Sequence, residues 1–446
     1  MTDDPGAVEL TPGVHWVGAL DPTLRDFDII LKTANGTTYN AYCVRGSAGV
    51  AVIDTVKESH AADFFARLEQ VADYAEIRVI VLNHLEPDHT GALPELMRRA
   101  PQARLYISVR AQAMLKGLLK SEALEYTPVD TGDAVSLGDR SLRFLHTPFL
   151  HWPDTQCTWL AEAGVLFSGD AFGCHFCDAR LFNDSVGDFR FSFEYYYQHI
   201  MRPFREHVLD ALALIEPLAI RLIAPAHGPV LRDAPMRYVR RYRQLAAPFL
   251  ANEAAAAKTL LIFYISAYGS TARMAQAIRE GAEAAGGVRV SLYDLQGADI
   301  PPFVDLVEEA DALVLGTPTI NGDAVKPVWD LLSSLVSVKL RDKLGAAFGS
   351  YGWSGEAVGM VEDRLRGLKL RVPLRGVKLK LIPTDDELDR CRAFGGDLAL
   401  HLTGRAGNRV VSMEELKAVG LADAPLTPAL SRARERGAAS ALGAIE

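Results

Sequence analysis

The sequence predicts two folds in succession: an α+β sheet sandwich over residues 1–250 and an α/β doubly wound parallel sheet over 258–402. Three observations carry this. Residues 13–57 alternate apolar and polar positions, with turn signals at Asn35-Gly36 and Gly46-Ser47, which is the pattern of antiparallel strands. From Lys258 onward, compact apolar runs alternate with helical segments, the rhythm of βα repeats and a parallel sheet. Between them lies an Ala-rich segment, 247–257 (APFLANEAAAA), read as a helix end or linker and taken as the domain boundary.

The elements follow in order. After the first strands a helical pattern covers 60–71, and the apolar run 79–82 reads as a buried strand. Further strand and helix signals reach about Leu231. In the second half, 260–265, 288–292, 312–315, 346–348 and 377–381 read as strands. Residues 403–446 differ again: 413–419 is a candidate short helix, and 425–438 is Arg- and Ala-rich with weak patterning. This stretch is read as a poorly ordered extension.

A chain of 446 residues has room for two or three domains, each with its own core. The net charge of -9 argues against a general nucleic-acid binder, since phosphate contacts need a basic surface. No apolar run reaches membrane-spanning length, and the acidic start Met1-Thr2-Asp3-Asp4 lacks the form of an export signal, so a cytoplasmic setting is expected. The five cysteines, Cys43, Cys157, Cys174, Cys177 and Cys391, are too sparse for a disulfide framework. Cys174 and Cys177 form one C-x-x-C, and a rubredoxin-type iron site needs two such pairs; the pair is read as a packing feature.

The chemistry is concentrated in Asn83-His84-Leu85-Glu86-Pro87-Asp88-His89, at the C-terminal end of the 79–82 strand. Loops on a rigid scaffold are where metal ligands tend to sit, and mixed imidazole and carboxylate donors suit iron, zinc or manganese. His84, Glu86 and Asp88 alternate along what reads as an extended loop, so their side chains share a direction, and His89 breaks the alternation. Four ligands this close hardly fit one ion that also leaves room for substrate, so two neighbouring ions are expected. Further ligands lie at the ends of later strands: His151 before Trp152-Pro153, Asp170 after Ser168-Gly169, and His227 in Ala226-His227-Gly228. His175, close in sequence to Asp170, is a candidate hydrogen-bond donor beside the site. Among the run Tyr195, Tyr196 and Tyr197, one side chain is a candidate donor to a bound oxygen species, with Tyr197 chosen.

These residues resemble the metallo-β-lactamase superfamily, whose loop reads H-x-H-x-D-H, followed by a distant His, an Asp and a last His. The chain departs at Glu86, where the hydrolases carry a second His. That departure is similar to the flavodiiron proteins, with H-x-E-x-D-H. The resemblance implies an αββα sandwich in which His84, Glu86 and His151 bind one iron, Asp88, His89 and His227 bind the other, and Asp170 bridges. A carboxylate adds charge and a hard oxygen, which favours ferric iron and gives nothing comparable to redox-silent zinc.

A second constellation opens the second half. Ser266, Tyr268, Gly269, Ser270 and Thr271 lie in a loop that follows a strand and starts a helix, offering N–H groups, hydroxyls and the helix dipole to a phosphate. The loop lacks the Gly-Lys-Ser/Thr of a Walker site. It resembles the S/T-x-x-G-S/T-T loop of flavodoxins, which cradles the phosphate of FMN. Two later loops support this: Thr317, Pro318, Thr319, Ile320 and Asn321 after one strand, and Ser350, Tyr351, Gly352, Trp353, Ser354 and Gly355 after the next. In flavodoxin-like domains such loops hold the isoalloxazine ring at the carboxyl ends of the strands.

The flavodiiron resemblance covers about residues 8–402. It implies an oxidoreductase that reduces O2 to water, NO to N2O, or both, with FMN and two iron ions as cofactors. It also implies a rubredoxin or another reductase as electron donor, since neither a rubredoxin module nor an NADH-binding domain is appended. A head-to-tail homodimer, or a dimer of such dimers, is expected. The competing readings are a dizinc hydrolase with an accessory flavodoxin module, against which Glu86 counts, and a plain FMN electron carrier, which leaves the ligands unexplained.

Overall fold

A computed structural model describes residues 5–27, 31–119, 125–247 and 257–406. The candidate helix at 413–419 and the Arg- and Ala-rich 425–438 lie outside the described residues. The chain divides into two compact units, residues 1–253 with 331–340, and residues 254–330 with 341–446. Among the described residues no helix is long and apolar enough to cross a membrane.

The first unit contains two large sheets. One runs in the spatial order Val8–Thr11, Val14–Trp16, Tyr42–Gly46, Gly49–Ile53, Ile77–Val81, Arg104–Ser108 and Tyr126–Val129. Its first four strands pair antiparallel, the three that fall within 13–57 as that stretch predicts, and the rest pair parallel. The other sheet has the order Ala134–Ser136, Ser141–His146, Gln156–Leu160, Val165–Gly169 and Leu222–Pro225, with only the last pair parallel.

Each sheet is covered on both faces, and this explains why its strands read as unbroken apolar runs. In Ile77–Val81, Val79 and Val81 enter the core between the sheets, beside Trp16, Ile53, Phe144 and Phe167. Ile77 and Ile80 face the other way, toward Phe64 and Leu68 of helix Ala61–Leu68 and Leu93 and Leu96 of helix Leu93–Arg99. In Val165–Gly169, Val165 and Phe167 point inward. Leu166 packs outward with Val208 and Leu212 of helix Arg205–Ile215 and Val239 of helix Met236–Ala246. The unit is therefore an αββα sandwich. Its sheets are tied at the edge that bears the ligand loops: Gln156 N–H donates to Asn83 C=O (2.9 Å) and Asn83 Nδ2 donates to Phe167 C=O (3.3 Å).

The second unit holds an all-parallel sheet in the order Val288–Asp294, Lys258–Tyr264, Ala312–Gly316, Leu344–Tyr351 and Val377–Lys380. Leu260 and Ile262 face helices Ser270–Ala285 and Asp385–Leu402 through Met274, Ile278, Leu388 and Leu398. Phe263 points to the opposite face and meets Phe303 of helix Pro301–Glu309 edge-on at 5.0 Å. The sheet is doubly wound, and its strand order reverses around Lys258–Tyr264, the place where ligands bind in such sheets.

The two helices on the Leu260 face touch backbone to backbone. A Cβ on Gly281 would lie 1.8 Å from the Arg392 carbonyl oxygen, and one on Gly395 would lie 2.0 Å from that of Ile278. Gly359, also inside a helix, has nothing within 4 Å of such a Cβ. Alanine raises helix propensity by about 1 kcal/mol at either site. Gly281→Ala is nevertheless expected to destabilise the protein by about 1–2 kcal/mol net, overpacking outweighing the propensity gain, whereas Gly359→Ala is neutral or stabilising. Thermal denaturation of the two variants side by side checks this.

Candidate metal centre and flavin site

The sequence places both carboxylates and both histidines of the 84–89 stretch in one loop, but the loop is not extended throughout. After Glu86, Pro87–Thr90 forms a helical turn, with Pro87 in its first turn where a fixed φ is welcome. The expected alternation therefore fails at Asp88. His84 and Glu86 point to one side, while Asp88 and His89 are carried by the turn to another.

The seven side chains fall into two groups, His84, Glu86, His151 and Asp170, and Asp88, His89 and His227, all buried except the half-buried His151. In the first group Glu86 Oε2 stands 3.0 Å from His84 Nε2 and 3.1 Å from His151 Nε2. In the second, Asp88 Oδ2 stands 3.1 Å from His227 Nε2, and Asp88 Oδ1 is 3.6 Å from His89 Nε2. Asp170 lies between them. Its Oδ2 is 3.6 Å from both His84 Nε2 and His151 Nε2, while its Oδ1 is 3.3 Å from His89 Nε2 and 3.4 Å from His227 Nε2. One carboxylate thus turns an oxygen to each group.

These residues fit a pair of cations. Both oxygens of Asp88, both of Asp170 and His89 Nε2 are buried with no hydrogen bond, an arrangement that is costly unless the atoms ligate something. The electrostatics agree. Burial alone would pull His84 down, but the acceptor carboxylates of Asp154 and Glu86 and the charge of Asp170 push it up to about 9. Burial would raise Asp170, and the charges of His89, His84 and His151 hold it well below the usual carboxylate range. Each group keeps its charge only because of the opposite charges around it, and cations take over that role as ligand protons leave.

Residues outside the predicted set hold the ligands. His227 Nδ1 lies 2.7 Å from the Thr38 carbonyl oxygen, which fixes Nε2 toward the site, and Gly228 N–H donates to Thr38 Oγ1 (2.7 Å). Asn40 Nδ2 donates to Pro225 and Gly228 C=O at 2.8 and 2.9 Å, while Asn40 Oδ1 accepts from Trp16 Nε1 at 2.8 Å. Asp154, buried, accepts from Leu85 N–H at 2.8 Å. Asp54 accepts from Asn83 N–H at 2.7 Å in a left-handed conformation (φ 54°), and burial pushes its carboxyl up to about 6.

His175 lies where the sequence suggests, against the ligands. Its ring is 5.3 Å from that of His227, its Nδ1 meets Thr37 Oγ1 at 3.0 Å, and its Nε2 is buried without a hydrogen bond. Burial and the neighbouring His227 lower its pKa to about 3, so the ring is neutral. The tyrosine facing it is not Tyr197. Tyr197 packs edge-on against Tyr242 at 4.9 Å, and the ring that meets His175, at 5.0 Å, belongs to Tyr196. Cys174 and Cys177 are free thiols, the first buried with its pKa pushed up, and neither joins a metal group.

In the second unit the three predicted loops leave the carboxyl ends of adjacent strands. Gly269, at φ 83°, turns the chain into helix Ser270–Ala285, and Ser266 Oγ accepts from Ala272 N–H at 3.2 Å. Thr271 Oγ1 and Ser350 Oγ share a buried hydrogen bond of 2.9 Å, joining the first loop to the third. Thr319 N–H donates to Ser350 C=O at 2.8 Å, joining the second to the third. Ile320 and Asp323 exchange backbone hydrogen bonds across Asn321 and Gly322, both with positive φ, as a tight reverse turn requires. Pro318 and Thr317 are buried at the base, and Tyr351, Gly352, Ser354 and Gly355 are half-buried. Tyr268 and Trp353 are 98% and 81% exposed, leaving two large aromatic faces open beside the helix terminus. A phosphate at that terminus and a flat ring against these side chains fit the cradle. Trp353→Ala is expected to weaken FMN about 5–10-fold, by loss of about 1 kcal/mol of ring contact. Fluorescence titration of the FMN-depleted protein checks this.

A sandwich carrying a carboxylate-bearing, two-centred ligand set, in one chain with a flavin-type doubly wound sheet, defines a flavin-linked two-metal oxidoreductase. Comparison with known proteins makes this specific. Residues 37–228 match the model of the ODP family beta lactamase, and residues 262–395 match that of flavodoxin. The chain is 64% identical over 415 residues to the type A flavoprotein fprA of Rhodobacter capsulatus, covering 93% of this chain and 95% of that one. It is 36% identical to a nitric oxide reductase of Moorella thermoacetica, over 89% of this chain and 98% of the relative. Among solved structures, the rubredoxin oxygen:oxidoreductase of Desulfovibrio gigas aligns at TM-score 0.63 and 29% identity, over 90% of this chain and all of that one. The chain belongs to the flavodiiron protein family. It is an oxidoreductase with FMN and a diiron centre as its cofactors, and the hydrolase reading falls.

Proposed function

We propose that this protein reduces O2 to water, NO to N2O, or both, at a diiron centre held by His84, Glu86, His151, Asp88, His89, His227 and the bridging Asp170. The single observation that carries the reading is Asp170, whose two oxygens address two separate ligand groups, one of them completed by Glu86. The names of the Moorella and Desulfovibrio relatives support both substrates. Reduced FMN and a diferrous pair hold four electrons between them, the number O2 needs to become two waters, and two NO need two of these to become N2O and water.

The chain's own residues shape that chemistry. Glu86 sets a hard, anionic oxygen between two imidazoles, favouring the ferric product. His175, neutral and with a free Nε2 beside His227, serves as the hydrogen-bonding group next to the reacting atoms, and Tyr196 holds its ring. In the other unit, Ser266, Tyr268, Gly269, Ser270 and Thr271 take the FMN phosphate. The loops Thr317–Asn321 and Ser350–Gly355 take its ring.

The electron donor in this reading is a rubredoxin or another reductase, the former supported by the name of the Desulfovibrio relative. A head-to-tail homodimer brings the flavin of one protomer to the irons of the other. A cytoplasmic setting accords with the five free thiols. The test is anaerobic reduction, followed by stopped-flow mixing with O2 and, separately, NO, on protein of measured metal content. Two irons per chain with rapid reoxidation by either gas is the expected result; zinc alone with neither gas consumed overturns it.

A further inference from the structure

The two halves of the metal centre are held by different parts of the sandwich, and we infer that Asp154 is the positioning residue for the His84 half alone. Its Oδ2 accepts a hydrogen bond from the backbone N–H of Leu85, at 2.8 Å, and Leu85 lies between the ligands His84 and Glu86. Oδ1 stands 3.5 Å from His84 Nδ1, and neither of these two buried atoms has a hydrogen-bond partner. A buried imidazole nitrogen and a buried carboxylate oxygen left unpaired would be costly, so each answers the other. With Nδ1 carrying the proton toward Asp154, Nε2 is left as the acceptor atom toward Glu86 and Asp170, from which it lies 3.0 and 3.6 Å.

Asp154 also follows the third ligand of that half, His151, by three residues, and its own carbonyl oxygen accepts from Ser108 Oγ at 2.6 Å. Ser108 ends strand Arg104–Ser108 of the first sheet, so the His151 loop is pinned to the sheet that carries His84. One buried carboxylate therefore connects His84, the backbone before Glu86, and the loop of His151. The other half is braced from elsewhere. His227 is oriented by the Thr38 carbonyl, and its loop is clamped by Thr38 Oγ1 and Asn40. None of these atoms touches Asp154 or its partners.

The consequence is that iron retention in the two halves is separable. Asp154→Asn keeps an oxygen for Leu85 N–H but presents an amide N–H to His84 Nδ1, which reverses the preferred tautomer. A carboxylate supporting a metal-bound histidine is worth about 10–100-fold in metal affinity. The variant is therefore expected to retain one tightly held iron per chain where the unaltered protein holds two, with FMN content and unfolding midpoint nearly unchanged. Reduced halfway, it should lack the electron paramagnetic resonance signal of a spin-coupled mixed-valent pair. Thr38→Val, which removes the acceptor of Gly228 N–H, should weaken the other iron and leave the His84 half loaded. Mössbauer spectra of the two variants should then show two different single-iron environments.

This inference rests on the ligand assignment above, and the experiment separates the two. Absence of iron from the unaltered protein overturns the assignment. Two irons in the unaltered protein overturn the Asp154 role if Asp154→Asn keeps both with the mixed-valent signal intact, or loses both together. Should Asp154→Asn fail to fold, chelator-driven iron release from the unaltered protein decides: two phases support separate halves, and a single concerted phase refutes them.

Discussion

Asp170→Asn is expected to leave a folded protein that binds FMN normally, holds less than one iron per chain, and consumes O2 and NO at least about 100-fold more slowly. Replacing a residue that merely supports a ligand costs about 10–100-fold, and Asp170 faces both ligand groups directly, through four imidazole nitrogens at 3.3–3.6 Å. The asparagine amide can offer an oxygen to one group only and turns N–H toward the other. It also removes the negative charge that offsets the burial of His84, His89 and His227. Metal analysis and gas-consumption assays on the same preparation check the outcome. Two irons per chain and near-normal turnover would show that the two groups do not share this residue.

Glu86→His is expected to change which metal the centre selects. Glu86 Oε2 sits between His84 Nε2 and His151 Nε2 at 3.0 and 3.1 Å, so an imidazole there gives a three-histidine group whose one anionic donor is the shared Asp170. Neutral nitrogen ligands suit zinc and lower the preference for ferric iron. The variant should be isolated with zinc in this half, iron at no more than about one per chain, and gas consumption reduced about 100-fold or more, while FMN reduction by an artificial donor is unaffected. Elemental analysis with paired assays distinguishes this from a general loss of fold, which would release FMN as well. Iron retained at two per chain, with turnover within about threefold, would mean that the carboxylate is not what distinguishes this site from a hydrolytic one.

Much of this molecule is legible in its sequence because the informative residues are locally clustered. The run 79–82 is apolar throughout because both faces of its strand are covered, and the ligands that follow sit at its end as loop chemistry demands. The three flavin loops are visible for the same reason: each follows a short apolar strand of a parallel sheet. What escaped has a physical explanation in each case. The helical turn at Pro87–Thr90 had a signal, a proline placed to start it, which the alternation of His84, Glu86 and Asp88 obscured. Thr38 acts partly through its backbone carbonyl, which any residue supplies, so no pattern marks it. Asp154 looks like a turn residue until Leu85 and His84 are folded against it. Tyr196 and Tyr197 are identical as letters. Only the helix that ends at Tyr196 and the π-helical turn beginning at Tyr197 determine which ring meets His175.

The clamp between Thr38–Asn40 and the His227 loop also bears on how the protein is made. Gly228 N–H reaches Thr38 Oγ1 across 190 residues of chain, and Asn40 reaches Pro225 across 185. A ribosome adding about 5–20 residues per second delivers the first partner roughly ten seconds or more before the second. For most of that interval His84, Glu86, Asp88 and His89 are already synthesised, yet the last ligand has no chain to stand on. Loading of the Asp88, His89 and His227 half is therefore confined to a nearly finished first unit, and a truncated product ending before His227 would leave Asp88 and His89 without their third partner.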